Sequence, residues 1–264
     1  MHEHIRQPAV AGLFYPADPG ELQGMLDTYL GAAVPPEEET PPKALIAPHA
    51  GYIYSGPVAA SAYARVRPVR ERIRRVALLG PSHRVPLYGL AASSASHFAT
   101  PLGLVPLDRK AIDDILQFNQ VRLMDAAHAR EHSLEVHLPF LQRLLGQFEL
   151  IPLVAGDASA AEVAEVLERL WGGEETLIVI SSDLSHYHDY VTAQGMDRHT
   201  SRAIEALAPD EIAYDDACGR IPVNGLLTVA RRHGLHAETV DLRNSGDTAG
   251  PRDQVVGYGA YVFH

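Results

Sequence analysis

Leu177-Ile178-Val179-Ile180-Ser181-Ser182-Asp183-Leu184-Ser185-His186 is the stretch that decides the fold of this chain. Four consecutive aliphatic residues followed by small polar ones read as a strand buried on both faces, as in the middle of a parallel sheet. Two further segments share the plan: Ala44-Leu45-Ile46-Ala47-Pro48-His49 and Val76-Ala77-Leu78-Leu79-Gly80-Pro81-Ser82-His83. Each apolar run is followed within a few residues by a histidine. In open α/β sheets, ligands bind in the crevice beyond the carboxyl ends of the strands. Three histidines at three such ends point to one shared pocket, metal-binding or catalytic.

Outward from these runs, strands and helices alternate. Asp18-Pro19 opens a helix carrying Leu22, Met25, Leu26 and Leu30, with Asp as cap and Pro at the first helical position. Residues 34–42, with four prolines and three consecutive glutamates, read as an exposed loop. Helices are expected at 57–66, 109–118, 133–146, from Ser159 to near Trp171, at 193–207, and from Pro222. Shorter strands are expected near 88–93, 102–107, 149–154, 237–242 and 255–263, the last with Gly257 and Gly259 spaced for tight backbone contact. The alternation predicts a single three-layer α/β domain over residues 1–264, with a mostly parallel mixed central sheet.

The 264 residues are 46% hydrophobic and 21% charged, the profile of a soluble globular protein. A net charge of −11 argues against a nucleic acid or an anionic membrane as partner, since both attract Lys/Arg surfaces. The arginines at 65, 67, 70, 72, 74 and 75 read as a solvated helix end and loop. A lone Cys218 allows no intrachain disulfide and suits a reducing compartment. No charged-then-apolar leader and no long apolar stretch are visible, so a cytoplasmic location is expected.

Imidazole and thiolate are both transition-metal ligands, so His49, His83 and Cys218 could supply three positions and leave a fourth open. Cys218 reads equally well as a small buried hydrophobe. Its place before a helix start tilts the balance, because a thiolate is stabilised there. Asp183, three residues before His186, suits an acid/base pair in which the carboxylate orients the ring. Glu131-His132-Ser133-Leu134-Glu135-Val136-His137 is not a zinc-protease helix. Its histidines are five apart, about 140° out of phase, and His132 is the one expected to line the pocket. Asn244-Ser245-Gly246-Asp247 is a turn by composition. His2, His4, His97, His128, His188, His199, His233, His236 and His264 read as surface or packing residues.

Taken together, these segments resemble the Memo-like family, the B component of the bacterial AmmeMemoRadiSam system. The resemblance rests on Ala11-Gly12-Leu13-Phe14-Tyr15-Pro16, Pro48-His49-Ala50-Gly51-Tyr52-Ile53-Tyr54-Ser55-Gly56, Gly80-Pro81-Ser82-His83 and the Glu131–Pro139 segment. It continues through Ser181–His186, Cys218-Gly219-Arg220 and Asn244–Asp247 before Val256-Gly257-Tyr258. It implies a fold shared with class III extradiol dioxygenases and a metal pocket of His49, His83 and Cys218. His186 would be the catalytic histidine, with Asp183 beside it. Phe14 stands where relatives have a peptide-contacting tryptophan, and Tyr52, Tyr54 and His132 complete the expected binding residues. Fe(II) is the implied metal, with Cu or Zn as alternatives. The dioxygenases hold a carboxylate where Cys218 stands, which argues against ring cleavage itself.

Three functions follow as expectations. The first is a metal-dependent oxidoreductase acting on a small molecule. The second is a non-catalytic module binding a peptide or protein in the same cleft, and the third a metallohydrolase with His186 as base. The resemblance also implies a radical SAM protein and the A component of the same system as partners.

Overall fold

The structure, a computed structural model, describes residues 4–33 and 41–264. His2 and most of the loop expected at 34–42 lie outside the described residues. The chain runs through β1 (Ile5–Arg6), α1 (Pro19–Ala32), β2 (Ala44–Ala47), α2 (Tyr52–Ala64), β3 (Arg75–Pro81), β4 (Leu90–Ala92) and β5 (His97–Thr100). It continues with β6 (Gly103–Pro106), α3 (Arg109–Ile115), β7 (Val121–Leu123), α4 (Asp125–Ala129), α5 (Leu138–Leu145), β8 (Glu149–Ala155) and α6 (Ala160–Leu170). Last come β9 (Thr176–Ser181), β10 (His186–His188), α7 (Tyr190–Glu205), α8 (Arg220–His233), β11 (Ala237–Asn244) and β12 (Val255–Phe263).

Among the described residues a nine-stranded sheet has the order β10-β12-β2-β9-β3-β8-β4-β7, with β11 also paired to β12. Its centre, β2-β9-β3-β8, is parallel, while β12 and β4 join antiparallel on the two flanks. The three apolar runs of the sequence are thus neighbours, β9 between β2 and β3. Their register aligns Ala47 with Ser181 and Leu79 with Ile180, so the three carboxyl ends finish side by side. Every residue of β2 and β9 is buried. A strand without a solvated face needs helices on both sides of the sheet.

The topology supplies them. From β2 the chain crosses β9's place to β3 through α2, and from β8 it returns across β3 to β9 through α6. Right-handed crossovers that travel in opposite directions put their helices on opposite faces. Accordingly α2 packs on β2 and β12 with α1 and α5, whereas α6 packs on α8, which lies on β3 and β9. This is the α/β architecture expected from the sequence. A second, three-stranded sheet, β1-β5-β6, packs against β8 of the first through β6.

Local chemistry explains where element boundaries differ from expectation. α2 begins at Tyr52 rather than Pro57, and the helix takes Pro57 into its interior. The helix expected over 133–146 breaks into a short 3₁₀ turn, Glu135–His137, followed by α5. Pro139 has no N–H to offer the Glu135 carbonyl, and the Leu138 N–H takes that acceptor instead. α7 starts at Tyr190, because the Asp189 side chain accepts hydrogen bonds from the N–H groups of Val191 and Thr192. The arginine run is spent on separate partners, Arg65 on Glu238 and Arg75 on Asp108 and Glu175. Among the described residues no helix is long and apolar enough to cross a membrane.

Gly257 is a close-approach glycine. A Cβ there would lie 2.1 Å from Oδ2 of Asp197, a buried carboxylate that also accepts from the Ser185 N–H at 3.0 Å. Gly257→Ala is expected to lower stability by about 1–3 kcal/mol, the usual cost of overpacking, as read by chemical denaturation. An unchanged midpoint would show that α7 yields freely.

Candidate metal centre

His49 and His83 each follow the last residue of their strand by two positions, which brings both rings over the end of β9. His132 joins them from the turn before Glu135. One ligand-capable atom from each of the three imidazoles lies within 4.8 Å of the others. The rings contact one another, His49 with His83 at 5.1 Å between centroids and His83 stacked on His132 at 4.8 Å.

Hydrogen bonds set the orientation of each ring. The Ser181 hydroxyl, at the end of β9, donates to the Ser133 carbonyl at 2.6 Å. Its lone pair therefore accepts from the His49 Nδ1–H, also at 2.6 Å, and leaves Nε2 as the unprotonated nitrogen. Glu131, 2% exposed, receives four donors. Oε2 accepts from the His83 N–H at 2.6 Å, and Oε1 accepts from His83 Nδ1 and the N–H groups of His132 and Ser133, each at 2.9 Å. Although burial works the other way, the His83 contact and the backbone donors hold this carboxyl down at about 2. A carboxylate or hydroxyl behind the imidazole is the usual outer support of a metal-binding histidine.

The rings are held ready for a cation. Burial, then the neighbouring His83 and His132, push His49 well below its ordinary range, and burial followed by His83 brings His132 to about 4. Both are neutral at pH 7, the form that ligates metals. His132 Nδ1 is buried and has no hydrogen-bond partner among the described residues. That nitrogen lies 3.4 Å from the Glu131 carboxylate, and three converging imidazoles with one buried nitrogen unbonded form a donor set that an ion would satisfy. Nitrogen donors with a sulfur at hand fit iron, copper or zinc, and do not fit calcium or magnesium.

Cys218 reaches this cluster from the start of α8, its Sγ 3.4 Å from His49 Nε2. It stands beside the three-imidazole group rather than within it. The expected thiolate stabilisation at the helix start does not hold: burial, then the nearby Asp183 carboxyl, pushes the thiol up. Asp183 also departs from the pairing expected with His186. Its Oδ1 accepts from the His49 N–H at 2.7 Å, and Oδ2 lies 3.9 Å from His49 Nε2. Burial raises this carboxyl to about 7. His186 instead stands at the start of the short strand β10, and burial lowers it.

A cavity of about 1190 Å³ opens on the cluster. His49, His83, His132, Asp183, His186 and Cys218 all line it, as do Phe14, Tyr54 and Tyr258. Phe14 lies against His132 at 4.8 Å. Tyr52 is a correction, since it does not line the cavity. Two residues apart on α2 means roughly opposite faces. Tyr52 therefore turns into the core, donating to the Val136 carbonyl at 2.7 Å and packing on Phe140 and Tyr15, while Tyr54 faces the cavity. His137 is likewise a core residue, bonded to the Tyr63 hydroxyl. Glu131 and Ser181 carry the orientation of the site, a role that the sequence does not assign to either. The Glu131-His132 dipeptide, a carboxylate beside an expected pocket histidine, was the available signal.

Fold and cavity together define an α/β protein whose strand ends hold a metal-capable cluster of histidines. The family model described as Memo-like protein matches residues 6–262. The chain belongs to the Memo-like family. A MEMO1 family protein of Aquifex aeolicus is 38% identical over 98% of this chain and 99% of its own length. Another, from Ignicoccus hospitalis, is 36% identical over 98% of each. The crystal structure of an uncharacterized Escherichia coli protein is also similar, with a TM-score of 0.48 and 13% identity over 83% of this chain and 98% of that one.

Proposed function

We propose that this protein binds one transition-metal ion at His49, His83 and His132, with Cys218 as an adjoining donor, and acts as an oxidoreductase on a small molecule in the cavity. The observation that carries the reading is the convergence of three imidazoles within 4.8 Å, two of them fixed from behind by Ser181 and Glu131. Iron is the first choice, on the family's dioxygenase relationship, with copper or zinc as alternatives. When bound, such an ion supplies redox or Lewis-acid chemistry at the strand ends.

The chain's own residues frame what surrounds it. His49 and His132, neutral at pH 7, donate lone pairs. Asp183, near 7 and within 3.9 Å of His49 Nε2, is able to hold or release a proton beside the cluster. His186 reaches the same cavity from β10, its imidazole placed for a hydrogen bond to substrate. The test is elemental analysis of protein purified without oxygen and offered Fe(II), Cu(I) or Zn(II). About one ion per chain of one of these metals is expected. Retention of magnesium or calcium alone would overturn the reading, because neither is held by nitrogen and sulfur.

A further inference from the structure

Among the described residues two that are not glycine have a left-handed backbone, Leu207 with φ 51° and Tyr187 with φ 61°. Leu207 has a local explanation. It follows the cap of α7, its N–H bonds the Ile204 carbonyl, and the Ala208 N–H bonds the Ala203 carbonyl, which closes the helix end. Tyr187 closes no helix. It stands between His186 and His188, where the pairing of β10 with β12 shifts register. An extra residue in a strand bends it and re-aims a side chain, and such bulges gather beside active sites.

Beyond one edge contact with His186, little packing repays this conformation. The left-handed region crowds Cβ against the following carbonyl. Yet Tyr187 is 71% exposed, and its hydroxyl has no hydrogen-bond partner among the described residues. The bulge places the ring in the cavity wall, 5.8 Å from His186 and tilted by 61° to it. Phe14, Tyr54 and Tyr258 supply further aromatic wall in the same cavity. Strain kept at a cavity wall, without burial in return, marks a position held for something other than stability.

We propose that Tyr187 is a ligand-contacting residue, its ring stacking on a flat ring of the molecule held beside His186. The proposal rests on the cavity being the working site and adds to that reading a planar, apolar face on the ligand. An exposed aromatic ring fixed by its backbone contributes contact area with little ordering cost, and ring stacking favours planar partners.

The neutral, flat dye prodan serves as probe, titrated by fluorescence into metal-free full-length protein. Tyr187→Gly is expected to raise the dye Kd about fivefold or more, the worth of one aromatic contact. Its Tm should stay unchanged or rise by about 2–4 °C as the strain is relieved. Tyr187→Phe should keep the Kd within about twofold, since the ring is retained. Leu207→Gly relieves the other strained residue away from the cavity, and should leave dye binding as it is. An unchanged Kd in Tyr187→Gly, a clear fall in its Tm, or failure of the parent protein to bind the dye would each overturn the proposal. Metal content, measured separately, decides the metal reading by itself, so the two failures are told apart.

Discussion

In protein reconstituted with Fe(II) without oxygen, His49→Ala is expected to lose the metal, while His186→Ala keeps it. His49 is buried, neutral at pH 7, and tied at Nδ1 to Ser181, so its Nε2 lone pair faces the cluster, with the Cys218 thiol 3.4 Å away. Outer supports of metal-binding histidines alone are worth about 10–100-fold in affinity, so removing the ligand itself should cost at least about a hundredfold. Glu131→Gln probes such an outer support directly. It removes the charge behind His83 while preserving shape, and a loss of about 10–100-fold is expected. His132→Ala and Cys218→Ala, compared side by side, decide which of the two completes the set. Bound iron, read by elemental analysis and by competition with a chelator, is the measurement. If His186→Ala empties the protein as completely as His49→Ala does, the roles assigned to these two residues are wrong.

The second large effect concerns stability. Glu135→Ala is expected to cost about 3–5 kcal/mol, the penalty for leaving one member of a buried ion pair without its partner. Glu135 is 1% exposed and accepts from the Arg6 guanidinium, the N–H groups of Ala9 and Val10, and the Tyr15 hydroxyl. One carboxylate thereby fastens the whole segment from Arg6 to Tyr15, which carries Phe14 to its place on His132. Removing it leaves the Arg6 charge, itself only 6% exposed, with the His128 and Glu131 carbonyls but no counter-charge. A fall in Tm of roughly 6–20 °C corresponds to that range. Glu135→Gln, which keeps an acceptor but not the charge, should fall between the two. A loss below about 1 kcal/mol for Glu135→Ala would mean that water or a shifted chain satisfies Arg6.

Local sequence had reported on Glu135 only as one letter of a motif, and the same holds for Glu131. Both carboxylates act on residues far along the chain, Glu131 on His83 and Glu135 on Arg6, Ala9, Val10 and Tyr15. Periodicity cannot reveal such partners, because it records only which side of an element avoids water. The caps of α1 and α6 were legible for the opposite reason. Asp18 with Glu21, and Ser159 with Glu162, complete their hydrogen bonds within three residues.

The sequence by itself determined that β2, β3 and β9 are buried parallel strands, since solid aliphatic runs ending in small polar residues have few other uses. With them came the α/β class, the family resemblance, and the presence of His49, His83 and His186 at one end of the sheet. Tertiary structure alone decided the membership and roles within that group. It brought His132 into the cluster and left Cys218 beside it. It turned Asp183 toward His49 instead of His186, and it sent Tyr52 into the core while Tyr54 stayed at the cavity. The physical reason is one of scale. Burial of a strand is a property of a few adjacent side chains, readable wherever they stand. The aim of a ring is set by one or two hydrogen bonds, and for His49 the deciding bond comes from Ser181, a residue 132 positions away.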